Sequence, residues 1–176
     1  GKTLGIVGTG AVGIRLARIA EGIGMRVLTS SLSEGTDSTE TNDSSNRAEV
    51  SFPELLASSD AISVHARLTP QTRSMFGPAE FSQMKPTALF INTARGQLVN
   101  NRALAEALAN ETIAGAALDV FNSEPLDRNS TLAHLPNVIL TPHIASNTAE
   151  ALTVSLNMVV DNVVDYLQDR VRHRVS

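Results

Sequence analysis

Residues 5–35 read GIVGTGAVGIRLARIAEGIGMRVLTSSLSEG. Thr3–Val7 is a short apolar run ending in glycines, the pattern of a buried strand. Residues 11–21 carry Val12, Leu16, Ile19 and Ala20 at helical spacing, and residues 26–29 form a second short apolar run. Strand, tight glycine turn, helix and strand within about 30 residues make a βαβ unit. The glycines fall as Gly8-Thr9-Gly10-Ala11-Val12-Gly13, a G-x-G-x-x-G pattern. Gly8 permits the tight turn, Gly10 lets the backbone approach a pyrophosphate, and Gly13 lets the helix pack close to the strand. The free amides of the first helical turn, at Ala11 and Val12, add the positive end of the helix dipole. The pattern is weak in isolation. A strand before it and a helix after it make it the mark of a dinucleotide site.

Such a site places an acid about 20 residues further on, at the end of the second strand, to bond the ribose 2′-hydroxyl. Here that place falls near Ser31. Ser30, Ser31 and Ser33 can donate to a 2′-phosphate, but no arginine stands beside them, and Glu34 and Asp37 follow with repelling charge. The sequence therefore points to NAD or NADP and leaves the choice open.

Residues 30–48 are almost purely polar and read as a loop. Beyond them strand-like and helix-like pieces alternate. Helices are expected at 51–58, 78–84 and 100–109, and strands at 61–65, 88–92, 113–118 and 138–140. A long amphipathic helix is expected from 147 to about 169, with Leu152, Leu156, Val159, Val160, Val163 and Leu167 on its inner side. Alternation of this kind implies an α/β fold, a doubly wound parallel sheet of Rossmann type with helices on both faces.

Composition narrows the functional classes. The 176 residues are 42% hydrophobic, enough for one domain spanning 1–176. The net charge of -4 and the absence of a long basic stretch argue against nucleic acid. With no tryptophan and one tyrosine, Tyr166, the chain lacks base-stacking aromatics. There is no cysteine, and the histidines and acids lack metal-ligand spacing, so no metal is expected. No run of about 18 apolar residues suggests a membrane span, and the first ten residues lead into a strand rather than a signal peptide. A soluble cytoplasmic protein is the expectation. Gly1 stands almost at the first strand and RVRHRVS ends without a closing element, so the sequence reads as a piece of a longer protein.

Three later segments place charged residues after buried strands: FINTARGQLVN (90–100) with Arg95, GAALDVFNSEPL (115–126) with Asp119 and Glu124, and ILTPHIAS (139–146) with His143. Ligands of open α/β sheets bind at the carboxyl ends of strands. Arginine holds a carboxylate in two bonds, and histidine exchanges protons near neutral pH. A glutamate on the other imidazole nitrogen orients the ring and raises its pKa by favouring the charged form. Each residue also has a structural alternative: Arg95 as a helix cap or surface ion pair, Glu124 as a turn residue before Pro125, His143 as a loop residue beside Pro142. Together with a dinucleotide they suggest hydride transfer on a 2-hydroxy or 2-oxo acid. His65 reads as a satisfied strand-end residue bordering an adenosine pocket, and neither His134 nor His173 is given a role.

In these segments the chain resembles the D-isomer-specific 2-hydroxyacid dehydrogenases. The matching pieces are GIVGTGAVG, SDAISVHARLTPQT, MKPTALFINTARGQLVNNRALAEAL, IAGAALDVFNSEPL and LPNVILTPHIAS, in family order along nearly the whole chain. The resemblance implies Arg95 as the clamp on the substrate carboxylate, His143 as proton donor to the keto oxygen in reduction, and Glu124 as its partner. It implies Asp119 near the nicotinamide amide, with Thr93, Ala94, Ala145 and Ser146 on the nicotinamide side. His65, Ala66, Arg67 and Thr72 fall on the adenosine side. It also implies a coenzyme domain inserted into a split substrate domain, a homodimer, and a small 2-hydroxy or 2-oxo acid as substrate. Two departures bear on the cofactor: Ser31 stands where many members have the ribose acid, and Arg67 where many have proline. A rival reading is a dinucleotide-sensing, corepressor-like protein without turnover.

Overall fold

A computed structural model describes residues 1–31, 47–168 and 170. They fall into two compact units, Gly1–Pro142 and His143–Ser176. In chain order the first unit contains β1 (Thr3–Val7), α1 (Ala11–Gly22), β2 (Arg26–Ser30), β3 (Arg47–Glu49), α2 (Phe52–Ser58), β4 (Ala61–Val64), α3 (Pro78–Gln83), β5 (Leu89–Asn92), α4 (Asn101–Ala109), β6 (Gly115–Leu118) and β7 (Val138–Leu140). The second contains α5 (Ala149–Leu167).

The seven strands make one sheet in the order β3-β2-β1-β4-β5-β6-β7, parallel throughout. The expected doubly wound sheet is therefore present. The chain winds outward from β1 to β3, then returns to lay β4 on the other side of β1. That reversal opens a crevice at the carboxyl ends of β1 and β4. Register aligns the edge: Val7 faces Ser30 and Val64, Val64 faces Asn92, Asn92 faces Leu118, and Leu118 faces Leu140. Every segment singled out in the sequence leaves the sheet along this line.

The larger core cluster is built on Phe76, Phe81 and Phe90, all buried. Phe90 meets the other two rings edge-on, at centroid distances of 4.9 and 5.3 Å. Burying such a ring is worth about 1.5–3 kcal/mol, and each edge contact about 0.5–1.5 kcal/mol more. Side chains set several helix starts. Ser51 accepts the Glu54 N–H at 3.4 Å, and Asn100 accepts the Ala103 N–H at 3.1 Å.

Of the residues at helical spacing in α1, Ala20 is buried together with Gly13 and Ala17, while Val12 and Ile19 are 66% and 51% exposed. Close packing explains this, because a Cβ at Gly13 would overlap the Gly8 carbonyl. Two expectations need correction. Residues 30–48 are not wholly loop: Ser30 closes β2, and Arg47 and Ala48 belong to β3. This edge strand is held by pairing with β2 and by Arg47, whose guanidinium grips Glu21 of α1 in two bonds of 2.8 and 2.9 Å. The part of that reading on residues 32–46 lies outside the described residues. Finally, the six side chains assigned to an inner face of α5 are 52–76% exposed, and the second unit holds no other described helix or strand. Among the described residues no helix is long and apolar enough to cross a membrane.

Candidate functional site

The glycine turn is wedged between two strand exits. The Gly8 N–H donates to the Ser30 carbonyl at 3.0 Å. On the other side a Cβ at Gly8 would lie 2.7 Å from the His65 carbonyl carbon and 2.8 Å from the Ala66 nitrogen. Gly8 also takes φ 102°, so both space and backbone require glycine. Gly10 differs. A Cβ there would meet nothing within 4 Å. Gly10 caps α1 with no side-chain bond, and the first turn carries no acid. Ala11 and Val12 are exposed, so the helix start is open to an anion. The residues present fit a dinucleotide pyrophosphate.

At the end of β2, Ser30 is only 4% exposed and Ser31 is half-buried. No carboxylate stands on β2, while Ser33 lies outside the described residues. At the exit of β4, His65 Nε2 shares a hydrogen bond of 2.9 Å with Ser63 Oγ. Burial pushes the His65 imidazole below its usual pKa of 6.5. Arg67 is exposed. Its carbonyl accepts the Thr72 hydroxyl at 2.7 Å, and the Thr69 N–H donates to the same hydroxyl at 2.8 Å. Thr72 thus closes the 67–72 loop that carries Arg67.

After β5 the chain turns through Thr93 and Ala94 to Arg95. The Arg95 side chain is exposed, with Nη1 donating to the Ala94 carbonyl at 2.6 Å. Asn92 sits beneath, its Oδ1 accepting the Ala94 N–H at 3.0 Å and its Nδ2 donating to the Arg95 carbonyl at 2.9 Å. After β6, Asp119 is 4% exposed and accepts the Thr141 hydroxyl at 2.5 Å. Glu124 is exposed, and its Oε1 accepts the Phe121 N–H at 3.0 Å. Arg95, Asp119 and Glu124 thus leave the same sheet edge from neighbouring strands. Along that edge the Arg95 fork can hold a small anion, while the Asp119 and Glu124 carboxylates are hydrogen-bond acceptors.

His143, Ala145 and Ser146 are exposed residues of the second unit. His143 has φ 54°, a left-handed backbone uncommon for a residue with a Cβ and found disproportionately at functional sites. Among the described residues no three His, Cys, Asp or Glu side chains group to hold a metal ion. The residues missed by sequence reasoning are Asn92 and Thr141. Asn92 carried a readable signal, since an asparagine opening a loop commonly bonds the backbone two residues on.

The sequence matches the family described as D-isomer specific 2-hydroxyacid dehydrogenase, NAD binding domain, over residues 1–145. It is 42% identical over 171 residues to the glyoxylate reductase of Aeropyrum pernix, covering 97% of this chain and 50% of that protein. The fold superposes on the crystal structure of a glyoxylate reductase from Paecilomyes thermophila with TM-score 0.88 and 34% identity, over 99% of this chain and 52% of that one. D-lactate dehydrogenase with NAD+ from Lactobacillus jensenii gives TM-score 0.87 and 30% identity, over 99% and 55%. The chain spans about half the length of these relatives. By this match over residues 1–145, the chain belongs to the D-isomer-specific 2-hydroxyacid dehydrogenases and carries their NAD binding domain.

Proposed function

We propose that this chain, residues 1–176, is the coenzyme domain of an oxidoreductase acting on a small D-configured 2-hydroxy or 2-oxo acid. Substrates of glyoxylate or hydroxypyruvate, lactate or phosphoglycerate type fit this reading, with NAD or NADP as coenzyme. The observation that carries it is the shared edge: the open cradle at Gly10 and the Arg95, Asp119 and Glu124 loops leave one side of one parallel sheet. A nicotinamide coenzyme held at this edge would supply or accept the hydride. Arg95 holds the substrate carboxylate in two bonds and so orients the carbon at position 2. His143 gives a proton to the keto oxygen in reduction and takes it back in oxidation. Glu124 is the carboxylate assigned as partner of the imidazole. Asp119 bonds the nicotinamide amide, while Thr93, Ala94, Ala145 and Ser146 line that side. His65, Ala66, Arg67 and the Thr72-closed loop border the adenosine, with Ser30 and Ser31 at the ribose end. In the whole protein a substrate domain closes over this edge and excludes water. A cytoplasmic homodimer acting on small acids, without metal, nucleic acid or membrane, completes the reading.

The experiment is NADH and NADPH oxidation by the full-length protein against glyoxylate, hydroxypyruvate, pyruvate and 3-phosphohydroxypyruvate. Turnover of at least one acid is expected, with kcat/KM falling about 100-fold or more in Arg95→Ala. Coenzyme binding without turnover of any acid would instead support a sensor. Undiminished kcat/KM in Arg95→Ala would remove Arg95 from its role.

A further inference from the structure

Asn92 ends β5 and is 1% exposed, yet its side chain serves the surface loop above it. Both ends of its amide are engaged there. Oδ1 takes the Ala94 N–H and Nδ2 gives to the Arg95 carbonyl, at 3.0 and 2.9 Å. One buried side chain thus brackets Thr93-Ala94-Arg95 and sets the direction in which the chain leaves the sheet. The Asn92 carbonyl also accepts the Asp119 N–H at 3.0 Å, joining the exit of β5 to the exit of β6.

The next residue extends the link. The Gly96 backbone lies so close to the Phe121–Asn122 peptide that a Cβ there would overlap the Phe121 carbonyl. The Phe121 N–H in turn bonds Glu124 Oε1. The loops bearing Arg95 and Glu124 are therefore joined through backbone, with Asn92 on one side and the Glu124 carboxylate on the other. The exposed Arg95 guanidinium is itself tied to this base, with Nη1 donating to the Ala94 carbonyl at 2.6 Å, so the base decides where it points.

We propose that Asn92 is a positioning residue for substrate binding. It holds the Arg95 peptide so that the guanidinium meets the carboxylate of a 2-oxo acid, and through Gly96 it keeps that aim in register with Glu124. The proposal rests on Arg95 being the carboxylate clamp. The chemistry needs an amide. Asn92→Asp keeps an acceptor for the Ala94 N–H, loses the donor to the Arg95 carbonyl and sets oxygen against oxygen. Asn92→Ala loses both bonds: the Ala94 N–H is left without its partner, while the Arg95 carbonyl keeps only the longer bond from the Leu98 N–H at 3.3 Å.

The test is a double-mutant cycle in the full-length protein, with Asn92→Asp and Asn92→Ala each made alone and with Arg95→Ala. NADH affinity and Tm are measured alongside, and whichever Asn92 variant retains the parent's unfolding transition carries the comparison. The expected result is a loss in kcat/KM of about 10- to 100-fold in the parent background, first seen as a raised KM for the 2-oxo acid. In the Arg95→Ala background the further loss is expected to be below about twofold, with NADH affinity unchanged throughout. Equal losses in both backgrounds would mark Asn92 as merely structural, and no loss in the parent would remove its role. Both overturn the proposal while leaving the proposed reaction standing. A parent protein that turns over no 2-oxo acid would overturn the reaction and this proposal together.

Discussion

Three glycines divide the work of the edge in different ways. A Cβ at Gly13 would overlap the Gly8 carbonyl and one at Gly96 the Phe121 carbonyl, whereas one at Gly10 would meet no protein atom. Gly13→Ala and Gly96→Ala are therefore expected to lower stability by about 1–3 kcal/mol, the range for overpacking. Gly10→Ala is expected to leave Tm unchanged and to weaken NADH binding, because its methyl group occupies the pyrophosphate's approach. Thermal unfolding and NADH titration of the three variants separate these effects. A destabilised Gly10→Ala, or one binding NADH as tightly as the parent, would contradict the assignment of that space. The glycine spacing was readable in advance because Gly8 and Gly13 answer steric demands of the turn. The 2′ position was not, because Ser31 is neither the ribose acid nor an arginine. Arg95, Asp119 and Glu124 were readable as charges following apolar runs. Asn92 was placed only as the last residue of a strand, and the reach of its amide across two peptides exists only in three dimensions.

The strands were legible because a parallel sheet covered on both faces needs nearly continuous apolar runs. β1 and β7 have the bounds expected from sequence, and the other core strands differ by one or two residues at an end. β3 escaped notice because Arg47-Ala48-Glu49 has no apolar run and is held by its partners. The buried residues of α1 carry little signal for a related reason: Gly13, Ala17 and Ala20 are small, while Val12 and Ile19 on the same helix are exposed. At the exit of β4, His65 is held neutral by burial, with its imidazole pKa below 6.5. The unfolded chain then binds a proton that the folded one refuses, so stability is full above about pH 6.5 and falls as pH drops toward the lowered value. Thermal melts from about pH 7.5 to about pH 5.5 are expected to fall less steeply in His65→Gln than in the parent. Equal slopes would show that burial at this strand end has no such effect.

At the scale of the molecule, the reversal of winding between β1 and β4 creates the crevice, and parallel register carries every chain exit to it. The fold class followed from the alternation of elements, which is a property of connectivity and needs no contact information. What alternation does not encode is how a helix is covered, and the exposed apolar side chains of α5 are the clearest instance. The chain contains no tryptophan, so the fluorescence of the reduced nicotinamide is a clean reporter of binding. The most direct test is therefore titration of these 176 residues with NADH and with NADPH. Saturable binding of at least one of them, with one nicotinamide per chain, is the predicted result. No binding of either coenzyme would contradict the assignment of the glycine cradle and the function built on it.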